Sequence, residues 1–411
     1  MKPPGTSIKP ENVVPYAGVY EGASPLLLDN STDARLSSNA QDYSDCAFNH
    51  GELFRDRYRV IGKLGYGSAF TVWLCRDQHN DDTYVALKVC TNASKVHREI
   101  PIYEHINSLH SKHGGRQLIR ALLDSFEIVG PYGNHKCLVH EALGMNLEEF
   151  RELVPNEIFE PVLVRHTLRD ILRALNFLHK EAGIIHTDIQ PKNILLGVAD
   201  TSAFRRFEKD EREQPMPRKE LPSRTIYCSR LMPVTHDIPS LCDFSEARFD
   251  SDDNTDLVMP DVYRAPEVVL SLRWSYGIDH WALAMTLRDL MHSHPLFRPK
   301  GPDGRYSEEH HLAQMVAIMG PPSPDFLKRS IKSEHYWDAE GNWIGSVAIP
   351  NISLESVEQR LNGEEKRLFL NYMRKFLQWV PEDRSHPEEM FMDEWLLADL
   401  IESGQVMREA E

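Results

Sequence analysis

One run of thirteen residues holds the groups most able to do chemistry: Gly183-Ile184-Ile185-His186-Thr187-Asp188-Ile189-Gln190-Pro191-Lys192-Asn193-Ile194-Leu195. Short apolar stretches flank a turn that carries Asp188, and Asn193 follows five residues later. A carboxylate in such a turn can accept a hydroxyl proton, and an amide oxygen beside it can hold a magnesium ion. Phosphoryl transfer needs both. Alone, the pattern is moderately specific. Its weight comes from four further groups that stand in a fixed order around it. Gly65 and Gly67 lie between two strand-like runs, where paired glycines let backbone N–H groups approach phosphate oxygens. A tight hairpin without function would read the same way, and strand-turn-strand is not the strand-turn-helix of a dinucleotide fingerprint. Lys88 closes Val85-Ala86-Leu87-Lys88, and a lysine there either reaches solvent or is held by an anion. Glu99 in the next helical stretch is the expected partner, with Glu104 as the alternative. Asp243 ends the apolar run Leu241-Cys242 and suits a metal-holding carboxylate. Further on, Glu267 is expected to pair with Arg384 in the core, and Asp279 to accept backbone hydrogen bonds from the turn of His186.

These groups need elements to position them. Alternating β-branched runs predict strands at 58–61, 71–74 and 84–89, a helix over about 95–109, and strands near 122–129 and 136–141. From 162 to 180 the apolar residues recur at helical spacing (Leu163, Leu168, Ile171, Leu172, Leu175, Leu178), and helical patterns follow at 281–291 and 364–379. The expected architecture is α+β, with a β-rich lobe at 51–143 and a helix-rich lobe at 144–400. A ligand crevice is expected between them. Residues 200–238, of mixed charge and rich in proline, read as a partly helical surface insertion emerging near the crevice. Residues 1–50 read as a mostly disordered tail, and 401–411 as a C-terminal tail.

Composition narrows the partners. The 411 residues carry 62 acidic against 46 basic side chains, a net charge of -16. That surface repels nucleic-acid backbone and favours cationic partners, or else serves solubility alone. The six cysteines are scattered without a C-x-x-C pair, as in reduced intracellular proteins, and argue against a disulfide frame or a zinc site. No apolar run reaches membrane-spanning length and the N-terminus lacks an apolar signal core. A cytoplasmic or nuclear protein without membrane contact is expected.

Taken together, the motifs resemble the eukaryotic protein kinases over roughly residues 55–400. Within that group the chain is similar to the SR-protein kinases, particularly the divergent fungal ones. The likeness rests on 184–188, where Thr187 replaces the common Arg, and on Val72-Trp73-Leu74-Cys75. It also rests on the insertion before Asp243 and on His310-His311-Leu312-Ala313-Gln314-Met315 with Gly320-Pro321-Pro322. The resemblance implies a bilobal kinase fold and a monomer. It implies ATP and Mg2+ as cofactors, serine/threonine phosphorylation of basic Arg/Ser-rich segments, and an acidic docking surface on the large lobe, partly near 308–315. It implies that Leu64, Gly65, Gly67, Val72 and Ala86 line the nucleotide, with Leu195 beneath the adenine. His140 would be the gatekeeper, and Glu141 and Leu143 would supply backbone hydrogen bonds to the base. Lys88 would bind phosphate, oriented by Glu99. Asp188 would be the base, and Asn193 and Asp243 would hold magnesium.

Four positions depart from the family pattern. Phe70 stands at the third glycine, Ser245 replaces the Gly after Asp-Phe, and Gln190 replaces a lysine two residues after the catalytic Asp. Pro260 replaces the threonine that bridges the two. Lys192 is the cation expected to take over the missing charge. Thr187 cannot clamp an activation-loop phosphate as Arg does, and 250–256 is already acidic, so activity without phosphorylation of that loop is expected. Two other readings compete: a pseudokinase scaffold that binds nucleotide and a basic partner, and a small-molecule phosphotransferase with a similar loop. Tyr263 to Glu267 and Gly320-Pro321-Pro322 argue against the second.

Overall fold

A computed structural model describes residues 51–406, apart from 81–82, 92–94, 131–132, 222–223, 236–237 and 252. The expected N-terminal tail, Cys46 and residues 407–411 lie outside the described residues. The small lobe is a six-stranded antiparallel sheet in the order β1-β2-β3-β4-β6-β5. Its strands are β1 (Leu53–Phe54), β2 (Tyr58–Gly67), β3 (Phe70–Asp77), β4 (Thr83–Cys90), β5 (Leu122–Gly130) and β6 (Gly133–Glu141). Two register shifts in β2, between Val60 and Gly62 and between Lys63 and Gly65, bend the strand that ends in the paired glycines. The ladder sets Val72 opposite Lys88 and Ala86 opposite His140, which puts Ala86 and Lys88 on one face, two residues apart. Helix α1 (Val96–Ser108) packs on that face, burying Val96, Glu99, Ile102, Tyr103 and Ile106 at helical spacing.

The large lobe is helical from α2 (Leu147–Leu153), which opens with a reciprocal cap between Asn146 and Glu149. The long α3 (Pro161–Phe177) ends in a wider turn over Leu178–Ala182, closed by Gly183 at φ +63°. Short strands follow: β7 (Ile184–Ile185), β8 (Ile194–Leu196), β11 (Pro239–Leu241) and β12 (Arg248–Phe249). They pair as β7 with β12 and β8 with β11, bringing the catalytic-loop candidates beside Asp243. One continuous core runs from Tyr103 and Ile106 through α3 and α6 (Gly277–Met291) to Trp395. The last helix, Glu394–Glu402, crosses the boundary expected at residue 400.

The insertion is not a loose appendage. It forms α4 (Ser202–Glu213) and a hairpin of β9 (Arg218–Leu221) and β10 (Arg224–Tyr227). Phe204 and Phe207 are buried with Ile61 and Leu74 of the small-lobe sheet. The Phe204 ring stacks on Tyr84 at 5.3 Å, and Tyr227 meets Trp73 edge-on at 5.6 Å. A Cβ at Gly62 would lie 2.9 Å from the Phe207 ring, so glycine is what admits the aromatic. The chain therefore clamps the outer side of its own small lobe. The mixed charge of 205–213 hid this in the sequence, because Phe204, Phe207 and Glu211 form one buried stripe between charged residues.

Candidate active site

The floor of the cleft is fixed by one buried carboxylate. Asp279, near the start of α6, accepts from the backbone N–H of His186 and of Thr187, both at 2.8 Å, and meets His179 Nε2 at 2.9 Å. Those bonds hold Thr187 at φ +66°, a left-handed conformation that a β-branched residue adopts only when its surroundings enforce it. His186 Nε2 lies 3.1 Å from the Cys242 carbonyl, tying the loop to the strand that delivers Asp243. The Thr187 hydroxyl donates to the Glu246 carbonyl at 2.8 Å, a neutral bond where an Arg would hold charge. Asp188 is held from both sides. The Gln190 amide donates to its Oδ1, and Asn193 Nδ2 donates at 2.8 Å both to Oδ2 and to its carbonyl. Asn193 Oδ1 has no partner among the described residues. Burial pushes the Asp188 carboxyl above the usual range, against the pull of the Lys192 charge. Lys192 itself is exposed and makes no ion pair among the described residues. Pro260 caps the turn Asp261–Tyr263 and has no hydroxyl to offer, so among the described residues the side-chain hydrogen bonds to the carboxylate come from Gln190 and Asn193.

The roof closes on this floor through Lys88. Its Nζ lies 2.9 and 2.8 Å from the two carboxylate oxygens of Glu99, and 3.1 Å from Asp243 Oδ1. Glu99 is buried and Glu104 is exposed, which decides between the two candidates. Burial alone would raise the Asp243 carboxyl, but the Lys88 ammonium and a Ser245 hydrogen bond bring it down to about 2. Asp243 is thus ionised, and Ser245 has a use there that glycine could not supply. A column of rings joins the lobes: His140 to Tyr103 at 5.1 Å, Tyr103 to Phe244 at 5.1 Å, and Phe244 to His186 at 4.9 Å. Lys95 bonds Glu246 at 2.5 Å and anchors the start of α1 to the same segment.

The positions expected to line a nucleotide fall on strands of both lobes and on the connection between them. Leu64, Gly65 and Gly67 lie on β2, Val72 on β3, Ala86 on β4 and Leu195 on β8. The backbone N–H and C=O of Leu143 have no partner among the described residues, while the next N–H, of Gly144, bonds Leu196. Burial, with the Arg120 cation close by, keeps the His140 imidazole neutral, and its Nδ1 lies 3.0 Å from the Ala121 carbonyl. Two further side chains occupy this region: Arg120, which the sequence reading did not weigh, and Phe70, which it marked only as the departure at the third glycine. The Arg120 fork donates to the Glu141 carbonyl, at 2.9 Å from Nη2 and 3.3 Å from Nε, and makes no ion pair among the described residues. Its signal was a lone cation in the apolar run 118–122. Phe70 lies under the glycine turn with its ring 4.3 Å from Lys88 Nζ, and a Cβ at Gly67 would lie 2.5 Å from that ring.

Away from the cleft, Glu267 and Arg384 form a fully buried bidentate pair at 2.6 and 2.7 Å. The carboxylates expected to face a basic partner near 308–315 are engaged by groups of the same lobe at its surface. Glu308 pairs with Lys332 at 2.7 Å, and Glu309 accepts from the backbone of Ser346 and Val347. No helix among the described residues is long and apolar enough to cross a membrane.

A protein kinase domain model matches residues 58–396. A serine/threonine protein kinase of Aspergillus fumigatus is 39% identical over 353 residues, covering 85% of this chain and 86% of the relative. The serine/threonine-protein kinase SRPK of Physarum polycephalum is 31% identical over 363 residues, covering 82% and 84%. A solved kinase domain aligns with a TM-score of 0.66 at 25% identity, over 85% of this chain and 98% of that one. The chain belongs to the protein kinase family. Within the family it is an SR-protein-kinase-like protein.

Proposed function

We propose that this serine/threonine protein kinase transfers the γ-phosphoryl group of ATP, held with Mg2+, to serines in basic Arg/Ser-rich segments. The observation that carries the reading is the pairing of a positioned Asp188 with an assembled Lys88–Glu99–Asp243 triad. Bound MgATP supplies a transferable phosphoryl group and a cation that spreads its charge. Asp188 accepts the serine proton, and its raised affinity for protons makes it the stronger base. Lys88 binds phosphate oxygens, and Glu99 keeps its ammonium aimed. Asn193 Oδ1 and the Asp243 carboxylate are hard oxygen donors of the type magnesium takes, two from the protein with the rest left to phosphates and water. Leu143 offers the base an N–H and a C=O, while the Glu141 carbonyl must be shared with Arg120 or released by it. The net charge of -16 favours a cationic substrate.

Matched Arg/Ser and Asp/Ser peptides, assayed with MgATP over a salt series and with Asp188→Asn as the blank, test the reading. The Arg/Ser peptide should be preferred at low salt, with the preference shrinking as screening sets in over about 8–10 Å. Equal use of both peptides at low salt rules out the basic substrate. Nucleotide binding without any transfer favours the scaffold.

A further inference from the structure

The connection between the lobes carries the groups proposed to meet a nucleotide base, and one side chain sets their donor and acceptor pattern. Adenine shows an amino donor at N6 beside an acceptor at N1. A site that reads this edge needs a carbonyl next to an N–H. Here the Glu141 carbonyl is already taken. Arg120 donates to that one oxygen twice, from Nη2 at 2.9 Å and from Nε at 3.3 Å. A carbonyl oxygen has two lone pairs, and the fork engages both. The contact is held in place from either side. The Arg120 N–H donates to the Leu241 carbonyl at 3.0 Å, and the Glu141 side chain accepts from the Ala121 N–H at 3.0 Å. The guanidinium N–H groups not used on Glu141 have no partner among the described residues. Leu143 leaves its own N–H and C=O without a partner there as well. From Glu141 to Leu143 the edge therefore runs donor, donor, acceptor. Guanine has the matching pattern, because its O6 accepts while N1–H and the N2 amino group donate. The N6 amino group of adenine would meet a donor.

We propose that the site takes GTP as well as ATP as phosphoryl donor, and that Arg120 is the residue that admits guanine. The inference rests on the nucleotide-site reading above and concerns which purine that site accepts. ATP still gains the Leu143 N–H, but gains the Glu141 carbonyl only when the half-buried Arg120 leaves it. The transfer itself is the same with either donor. The serine oxygen bonds the γ-phosphorus, the bond from that phosphorus to the departing GDP oxygen breaks, and Asp188 takes the serine proton. Lys88, Asn193 and Asp243 are assigned to the triphosphate and its metal, which the two nucleotides share. The choice of purine should therefore show in KM and not in kcat.

The test measures binding apart from catalysis. ATP, GTP and ITP, each with magnesium, displace a fluorescent ADP analogue from the full chain, and transfer to an Arg/Ser peptide is followed from ATP and from GTP in parallel. GTP should bind within about tenfold of ATP, because it leaves no donor at this edge unmatched. ITP shares O6 and N1–H with GTP but lacks the N2 amino group, and should bind like GTP. Arg120→Val should move the nucleotides in opposite directions, tightening ATP and weakening GTP and ITP. The ratio of ATP to GTP affinity should rise by about tenfold or more, the cost of one unmatched hydrogen bond at a buried edge. A side chain that merely packs ahead of β5 would shift all three nucleotides together. The melting temperature of Arg120→Val checks its fold, and the wild-type ratio needs no variant. GTP weaker than ATP by more than about tenfold in the wild type, or an unchanged ratio in Arg120→Val, would overturn the proposal. Comparable binding of both nucleotides without transfer from either would sink the kinase reading and support this one. Transfer from ATP with GTP excluded would do the reverse.

Discussion

On the floor of the cleft, Asp188 is gripped by Gln190 and Asn193 and its loop by the buried Asp279. On the roof, two groups proposed to meet the nucleotide already face the protein's own side chains. Phe70 lies on the Lys88 ammonium, and Arg120 lies on the Glu141 carbonyl. The two regions differ in what would break them. The floor contacts are buried and charged, so nothing in solvent replaces them. The roof contacts involve half-buried side chains that can rotate into water. Damage to the floor should therefore remove turnover or the fold itself, whereas changes on the roof should mostly move affinity.

The largest effect is expected at the base. Asp188→Asn should preserve nucleotide binding and lower turnover by roughly 10²–10⁴, the usual worth of a positioned general base. Single-turnover transfer checks this, and an undiminished rate would take Asp188 out of the mechanism. The next largest tests the core beneath the floor. Glu267→Gln leaves the Arg384 guanidinium buried without its counter-charge and should destabilise the protein by about 3–5 kcal/mol. Chemical denaturation measures it. Replacing both partners, Glu267→Gln with Arg384→Met, should recover much of the loss, because no uncompensated charge remains.

The same contrast explains what was legible in the sequence. Part of the floor was legible because the contact needs one residue type: a carboxylate at Asp279 for two N–H groups and, away from the cleft, an ion pair at Glu267 and Arg384. The grip of Gln190 and Asn193 on Asp188 was not read. The Lys88 partner needed the fold, since Glu99 and Glu104 differ only in which way a helix turns. The roof could not be read. Phe70 was visible as a missing glycine, but that its ring would fold back onto Lys88 depends on space under the turn. Arg120 looked like one polar residue in an apolar run, and its reach to the Glu141 carbonyl is set by how β5 meets β6. The clamp formed by α4 was missed for a third reason. Its two phenylalanines lie among so many charges that composition outweighed periodicity.

Phe70→Ser and Arg120→Val should each raise ATP affinity by up to about tenfold while leaving turnover nearly unchanged. In both cases a contact that competes with the nucleotide is removed. A cation–ring contact is worth about 0.5–2 kcal/mol, and a pocket that must first be vacated weakens binding by the fraction of time it is closed. Calorimetric titration of ATP decides the point. A fall in affinity would mean that these side chains turn with the nucleotide and help to seat it, and the roof would then be as prepared as the floor.

The smallest effect separates Lys192 from Gln190. Burial raises the Asp188 carboxyl and the Lys192 charge lowers it again, so removing that charge should raise it further. A base that takes its proton at higher pH is lost sooner as the medium is acidified. The acid limb of the kcat/KM profile for Lys192→Ala should therefore move to higher pH, by about a few tenths of a unit for an exposed charge acting through water. Gln190→Ala should move the limb the same way for another reason, since it removes a hydrogen bond to the ionised carboxylate. Salt tells the two apart. The Lys192 shift should fade at high ionic strength, while the Gln190 shift should persist because a direct bond is not screened. If Lys192 also supplies the charge that meets the growing negative charge on the phosphoryl oxygens, its alanine variant should lose more turnover than that of Gln190. A salt-independent shift for Lys192→Ala, or turnover that falls further for Gln190→Ala, would return the role of the missing lysine to position 190.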